Sequence, residues 1–185
     1  PDGKPVTGLK CAVDPVSVEI TIARPREEVF EYLADVANHA EFNDHFMVDW
    51  RLTREDTYGY GAGARFRLKM PFNRFPWGDT TVIEFERPRR IAEAGRGGKF
   101  NRIRSLGVYD LDQGSAGTTR VRFTLLTEPK TATDKFLESF GARGWMKRKL
   151  KKSMRRLRDI LEGEARGGGE RPSLAGGARK PATGS

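Results

Sequence analysis

Apolar and polar side chains alternate along much of this chain, and the alternation predicts β-strands. Between residues 16 and 23, apolar Val16, Val18, Ile20 and Ile22 are separated by polar residues, which is typical of a strand with one buried face. Segments that contain glycine or proline separate further runs with the same period. The predicted strands cover residues 16–23, 46–54, 64–70, 80–86, 91–96, 102–112 and 118–127.

A helical period replaces the alternation in two parts of the chain. After the first strand, Pro25 suits the first turn of a helix. The apolar stripe of that helix is Val29, Phe30, Leu33 and Val36. Residues 38–45 then predict a short helix or a loop. From Ala132 to about Glu164, apolar residues recur at helical spacing without a proline, which predicts a long amphipathic helix.

This order of elements predicts a single α+β domain over residues 16–164. A chain of 185 residues is long enough for one domain with a substantial core. Residues 1–15 show no period and predict an extended arm, whereas residues 165–185, rich in Gly, Ala and Pro, predict a disordered tail. A curved antiparallel sheet of about seven strands would wrap around the C-terminal helix, which favours an internal apolar cavity.

The net charge of +9 comes largely from one segment of the predicted C-terminal helix. Lys147–Arg158 holds eight Lys and Arg residues and no acid, so the rest of the chain is nearly neutral. A solvated face is the first interpretation of this run, and contact with an anionic membrane surface is the functional alternative. Nucleic acid is disfavoured because Trp145 is the one aromatic residue beside the basic run. The predicted anion-contacting residues are Lys147, Arg148, Lys151, Lys152 and Arg155.

Cysteine content and hydropathy bear on the compartment. Cys11 is the single cysteine, so neither an internal disulfide nor a thiolate zinc cluster can form, which favours a reducing compartment. No apolar run reaches the roughly 20 residues of a membrane span. The sequence therefore predicts a soluble cytoplasmic protein, with peripheral membrane attachment as an option. The chain starts at Pro1, and whether its N-terminus is processed stays open.

The order of elements resembles the helix-grip fold of the START-like (SRPBCC) superfamily, which includes polyketide cyclase/dehydrase-like and lipid-transfer proteins. The resemblance covers about Val16 to Gly163. It depends on the segment Ile22–Asp35, on Ile83–Ile91, and on Tyr109–Leu111 followed by Gly117–Val121. The resemblance implies two short helices between the first two strands and a cavity for hydrophobic ligands between the sheet and the last helix. Because the superfamily spans transport, sensing and catalysis, fold alone does not select the function.

The lining of that cavity is predicted from the strand that bears Phe66 on its concave side. The matching inward residues on the following strands are predicted to be Thr81, Ile83 and Phe85, then Ile103 to Leu111 in steps of two, then Val121, Phe123 and Leu125. Small residues at Ser105 and Gly107, opposite Gly144, leave room for a guest, and the alternative is close packing without a void. The predicted ligand-binding residues are Phe66, Leu68, Met70, Trp77, Ile83, Phe85, Ser105, Gly107, Tyr109, Phe123, Leu125, Phe136, Phe140 and Gly144.

Few residues have side chains placed to bind a metal or to act in catalysis. The cluster His39, Glu41, Asp44, His45 and Asp49 lacks metal-ligand spacing, so we predict no metal and interpret it as solvated loop residues. No serine nucleophile elbow, phosphate loop or dinucleotide fingerprint is present, and no cofactor is predicted. If the protein is an enzyme, Tyr109 and His45 are the predicted catalytic residues, because an enolisable ketone needs only positioning and proton transfer.

Three functions remain open at this stage. The first is binding or carriage of a hydrophobic small molecule, such as a lipid or a polyketide, without catalysis. The second is a polyketide cyclase or dehydratase that uses the same cavity. The third is an interaction protein with a filled core that contacts an anionic membrane or RNA through its basic helix.

Overall fold

A computed structural model describes residues 14–70, 75–101, 103–128 and 143–163 of the chain. Its centre is one antiparallel sheet of seven strands in the order β1-β7-β6-β5-β4-β3-β2. The strands are β1 Val16–Ile22, β2 Met47–Leu52, β3 Gly63–Leu68, β4 Trp77–Glu86, β5 Arg90–Gly97, β6 Ile103–Gln113 and β7 Thr119–Glu128. The curled sheet and its helices confirm the predicted helix-grip architecture.

Two short helices connect β1 to β2, as the resemblance implied. Helix α1 spans Arg26–Ala34 directly after Pro25, and Glu27 and Glu28 in its first turn suit the positive end of the helix dipole. Helix α2 spans His39–Asn43. A single 3₁₀ turn joins the two, and the carboxylate of Asp35 caps it by accepting a hydrogen bond from the Ala37 amide at 3.0 Å.

The C-terminal helix α3, described over Arg143–Gly163, packs across β1 and α2. Its buried face consists of Leu150, Ser153, Met154, Leu157 and Leu161. Full burial of each leucine side chain stabilises the fold by about 1.5–3 kcal/mol. Polar contacts fix both ends of this packing. The Arg24 side chain donates to the Leu161 carbonyl at 2.9 Å, and Arg156 forms an ion pair with Asp44 just after α2.

Strand register decides which side chains face α1 and α3. Residues paired directly across neighbouring strands share a face, so the row Val82, Glu93, Gly107 and Leu125 points inward together. A bulge after Val82 shifts the register by one residue, so that Phe85 lies on the same inward face as Val82.

The predicted inward positions Thr81 and Ile83 are therefore wrong. Thr80 and Val82 face the interior instead, being 8% and 1% exposed, whereas Ile83 is 41% exposed. The bulge in β4 supplies the physical reason, because one unpaired residue reverses the parity of the side chains on either side of it.

Several predictions concern residues outside the described ranges. The extended arm over residues 1–15 falls there except for its last two residues. So do the tail over 165–185 and the first third of the predicted long helix, residues 132–142, with the predicted ligand contacts Phe136 and Phe140. The domain limits therefore stay predictions.

Candidate functional site

The concave face carries an island of small and polar residues in an otherwise apolar interior. Across the three central strands β4, β5 and β6, the register aligns Thr80, Gly95 and Ser105. The next inward row toward α1 contains Glu93, which is 8% exposed. The apolar surroundings of this island are Val82, Phe66, Tyr109, Phe123 and Leu125.

Glu93 is the centre of a buried polar cluster. The Thr80 hydroxyl donates a hydrogen bond to Glu93 Oε2 at 3.1 Å. His39 Nδ1 lies 3.3 Å from the other carboxylate oxygen, Oε1. That approach is poorly aligned, so Oε1 has no hydrogen-bond partner among the described residues although it is buried. A buried carboxylate oxygen without a donor is uncommon and points to a partner beyond the described residues.

His39 comes from the helical connection and is held in one orientation. Its Nε2 lies 2.8 Å from the Leu33 carbonyl, and because a carbonyl can only accept, Nε2 carries a proton. The Nδ1 atom therefore faces Glu93 either as an acceptor or as the second donor of an imidazolium.

Tyr109 extends the cluster along β6. Its ring lies 5.8 Å from that of His39 in an edge arrangement and 4.5 Å from that of Phe123. Burial raises the pKa of Tyr109 well above 10, and the nearby charge of Glu93 adds to the rise. The hydroxyl therefore stays protonated at neutral pH, as a hydrogen-bond donor beside a carboxylate acceptor.

A second buried donor lies on β2. Trp50 stacks on Phe66 with ring centroids 5.0 Å apart and an interplanar angle of 14°. Its indole Nε1 is buried and has no acceptor among the residues that the structure describes. Buried indole N–H groups usually find a partner, so this atom is a further candidate contact for a polar group of a ligand.

The predicted lining residues fall into two groups. Phe66, Leu68, Phe85, Ser105, Gly107, Tyr109, Phe123 and Leu125 have the inward register on their strands. Phe85 packs against Phe30 of α1 at 5.1 Å and belongs to the core at that end. Gly107 does not leave an open space, because a Cβ there would lie 3.1 Å from the Phe123 ring.

The other group lies elsewhere. Trp77 pairs with Arg67 on the outer face and is 36% exposed beneath the guanidinium of Arg65, so the structure does not bring it to the concave face. Gly144 is exposed, off the line of buried α3 residues, and a Cβ there would meet no atom of the described residues within 4 Å. Met70 lies beyond the end of β3, half-buried.

The structure joins a different histidine to Tyr109 from the one predicted. His45 lies at the α2–α3 contact, where its Nε2 is 3.2 Å from the Lys149 carbonyl and its ring packs on Phe46. Burial is the main cause that lowers the pKa of His45 below 6.5. His39, interpreted from sequence as a solvated loop residue, is 1% exposed and contacts the cluster. That interpretation is wrong for His39, because helix α2, His39–Asn43, buries most of its side chains, whereas Asp44 and Asp49 are exposed.

The predicted membrane-contacting residues lie together on the outer face of α3. Lys147, Arg148, Lys151, Lys152 and Arg155 are all exposed. None of them forms an ion pair with a described acidic residue, whereas Arg156 and Arg158 of the same helix do. The arrangement leaves a continuous basic stripe in solvent. Within the described ranges, no helix has the length and apolar character needed to cross a bilayer.

Comparison with known proteins assigns the chain to a family. The model of the polyketide cyclase/dehydrase and lipid transport family matches residues 15–162, so the chain belongs to that family. No curated protein matches the chain. The assignment supports a role in binding hydrophobic ligands or in polyketide-related chemistry.

Solved structures agree on the fold. The solution structure of the KanY protein has a TM-score of 0.65 at 13% identity, covering 81% of this chain and 98% of KanY. The TTHA0849 protein from Thermus thermophilus has a TM-score of 0.62 at 14% identity, with 82% and 99% covered. DynU16, from the dynemicin biosynthetic locus, has a TM-score of 0.50 at 19% identity, with 81% of this chain and 48% of DynU16 covered. At these identities the likeness concerns the fold alone.

Proposed function

We propose that the protein binds a hydrophobic small molecule, lipid or polyketide-like, on the concave face of the sheet beneath the C-terminal helix. Family membership supports this proposal, and so does the apolar character of the face around Phe66, Phe123 and Leu125. The ligand that suits the site is an apolar body with oxygen substituents, because the polar groups are concentrated around Glu93 and Tyr109.

The buried Oε1 of Glu93, which accepts no hydrogen bond from a described residue, is the observation that carries the proposal. Leaving a buried polar atom unsatisfied costs about 1–3 kcal/mol, and more for a charged group. A ligand hydroxyl could donate to this oxygen, while the protonated Tyr109 could donate to a ligand carbonyl. Such contacts orient a ligand that is otherwise held by non-directional burial.

The binding test uses 2-naphthol, an apolar bicycle with one hydroxyl, and naphthalene as the probe without it. Native mass spectrometry of the purified protein first identifies any co-purifying small molecule. In fluorescence titrations, the wild type is expected to bind 2-naphthol about tenfold more tightly than naphthalene, since a hydrogen bond to a charged group contributes roughly 1.5–3 kcal/mol. Glu93→Gln should remove most of this difference.

The matched control is Glu86→Gln, an exposed carboxylate on the same hairpin. It should leave both affinities unchanged. Equal affinity of the wild type for the two probes, or an unchanged preference in Glu93→Gln, would contradict the role given to Glu93. Failure of both probes to bind the wild type would contradict the binding proposal itself.

A second candidate function is cyclisation or dehydration of a polyketide in the same place, and the His39–Glu93 pair favours it. A carboxylate beside a ketone held by Tyr109 could remove a proton from the adjacent carbon, leaving the electron pair as an enolate. The enolate carbon would then attack a second carbonyl, and the proton on Glu93 would pass to the new alkoxide. Each step conserves protons and needs no oxidant or metal.

Carriage and catalysis differ in the fate of the ligand. Recovery of an unchanged bound lipid or polyketide supports carriage. An aryl 1,3-diketone incubated in D₂O provides the catalytic test, because proton removal replaces the hydrogens between its carbonyls with deuterium. Exchange above the buffer rate that is lost in both Tyr109→Phe and Glu93→Gln supports catalysis, whereas exchange that is the same in these variants and the wild type excludes it.

A further inference from the structure

Two aromatic residues project from neighbouring loops at one end of the sheet. Phe75 lies two residues before β4 and is 46% exposed, and Phe100 lies three residues after β5 and is 75% exposed. The pairing of Gly78 with Gly97 places the two loops at the same end. Lys99 joins them, with Nζ 5.9 Å from the Phe75 ring and 5.4 Å from the Phe100 ring. We call Phe75, Lys99 and Phe100 the aromatic tip.

The backbone of the second loop holds Phe100 in an unusual conformation. Its φ is 58°, in the left-handed region that bulky side chains rarely adopt. Asn101 follows with φ of 54°, and its amide donates to the Gly98 carbonyl at 3.2 Å. Glycine or asparagine would occupy the position of Phe100 with less strain, and core packing does not explain an aromatic ring that is three-quarters exposed.

The surroundings of the aromatic tip are basic. Lys69, Arg96 and Arg104 at the same end of the sheet are exposed. The start of α3 lies near this end too, because Arg143 bonds to Asp14 just before β1. The basic stripe of α3 therefore begins on the same side of the molecule. Exposed aromatic rings among cations form a surface complementary to a layer of anionic head groups over an apolar interior.

We propose that the aromatic tip inserts into the surface of an anionic phospholipid membrane, with the basic stripe of α3 contacting the head groups. The rings would enter the interface, where aromatic side chains are enriched, and Lys99 would remain at the level of the phosphates. Single-stranded RNA fits less well, because stacking needs free ring faces and Lys99 lies over both rings. This inference holds whether or not the interior binds a ligand.

Cosedimentation of the full chain with lipid vesicles tests the proposal. The vesicles contain phosphatidylcholine alone or with about 30% phosphatidylglycerol. We expect at least tenfold tighter binding to the anionic vesicles, weakening as salt is added. Phe100→Ala should weaken binding about tenfold through loss of apolar area. Lys99→Gln should weaken it about fivefold, the usual effect of one charge near such a surface.

Matched controls lie at the opposite end of the sheet. Tyr60 is 76% exposed in the loop between β2 and β3, so Tyr60→Ala removes an equally exposed ring. Arg89→Gln removes an exposed charge from the turn between β4 and β5. Both should bind within twofold of the wild type.

Three results would overturn the inference. One is binding that does not depend on anionic lipid. Another is an effect of Phe100→Ala no larger than that of Tyr60→Ala. The last is tighter binding to an oligouridine than to the vesicles, if that binding is lost in the variants of the aromatic tip, because this result would assign the surface to RNA. The 2-naphthol titration is measured without lipid, so its failure leaves this test intact.

Discussion

Gly107 and Gly144, both assigned from sequence to the walls of a cavity, are expected to respond to alanine with opposite signs. A Cβ at Gly107 would lie 3.1 Å from two ring atoms of Phe123, closer than the 3.5–4.0 Å of a normal carbon contact. The ring cannot withdraw freely, because it is 8% exposed and packs 4.5 Å from Tyr109. A Cβ at Gly144 would have no neighbour within 4 Å in the part of the chain that the structure describes.

The magnitudes follow from these surroundings. Overpacking costs about 1–3 kcal/mol, and alanine in a strand offsets roughly 0.5–1 kcal/mol through reduced freedom of the unfolded chain. Gly107→Ala should therefore lower the free energy of unfolding by about 1–2 kcal/mol. Gly144→Ala should raise it by up to about 1 kcal/mol through helix propensity.

Urea denaturation followed by circular dichroism measures both changes, provided that the m-values stay equal. A neutral Gly107→Ala would mean that Phe123 has room to move and that the concave face is looser than described. A destabilising Gly144→Ala would mean that Gly144 packs closely against another part of the chain. Either result would refute the assignment made from contacts.

Three further predictions concern titration and the bulge. Burial lowers the pKa of His45 below 6.5, so the unfolded chain takes up a proton that the folded chain resists. The free energy of unfolding should therefore fall as the pH drops below 6.5. In thermal melts at several pH values, His45→Gln should flatten that fall. Burial and the hydrogen bond to Glu31 raise the pKa of Tyr58 to about 12. The stability that protonated Tyr58 gives the fold is therefore complete below pH 10 and is lost as the pH rises through 12. Tyr58→Phe should remove an absorbance step near pH 12. Val82→Ala should cost about 1–3 kcal/mol of unfolding free energy and Ile83→Ala less than about 0.5; the reverse order in urea denaturation would contradict the bulge.

Periodicity was sufficient to predict the elements of the fold. Each of the seven strands appears within a few residues of its predicted range, since one buried face imposes the two-residue period directly on the chain. It was harder to predict which side chains of each strand face the interior. In β4, both Val82 and Ile83 are apolar, so the pattern does not indicate which of the two faces the interior. The pairing with β5 decides which one is buried.

The polar cluster was missed for a related reason. Glu93 lies in a short strand between Ala92 and Ala94, both small residues that fit either face. His39 lies in a turn whose composition looks solvated. Only the tertiary fold brings the two side chains to 3.3 Å, because one comes from the helical connection and the other from the middle of the sheet. A weak signal was present, since Glu93 has the same parity as Ile91, which is fully buried.

The energetics of buried charge bear on why Glu93 and His39 lie in the interior. Apolar residues of similar volume in place of a buried ionic pair often leave a protein equally stable or more stable. Val82 lies beside Glu93 in its row, and Leu125 lies in the same row beyond Gly107, so a hydrophobic residue would suit the packing at that position. Packing alone therefore does not account for a carboxylate with one oxygen that accepts no hydrogen bond from a described residue. A partner that enters the interior and donates to that oxygen does account for it, which is why the proposed function depends on Glu93 rather than on the apolar residues around it.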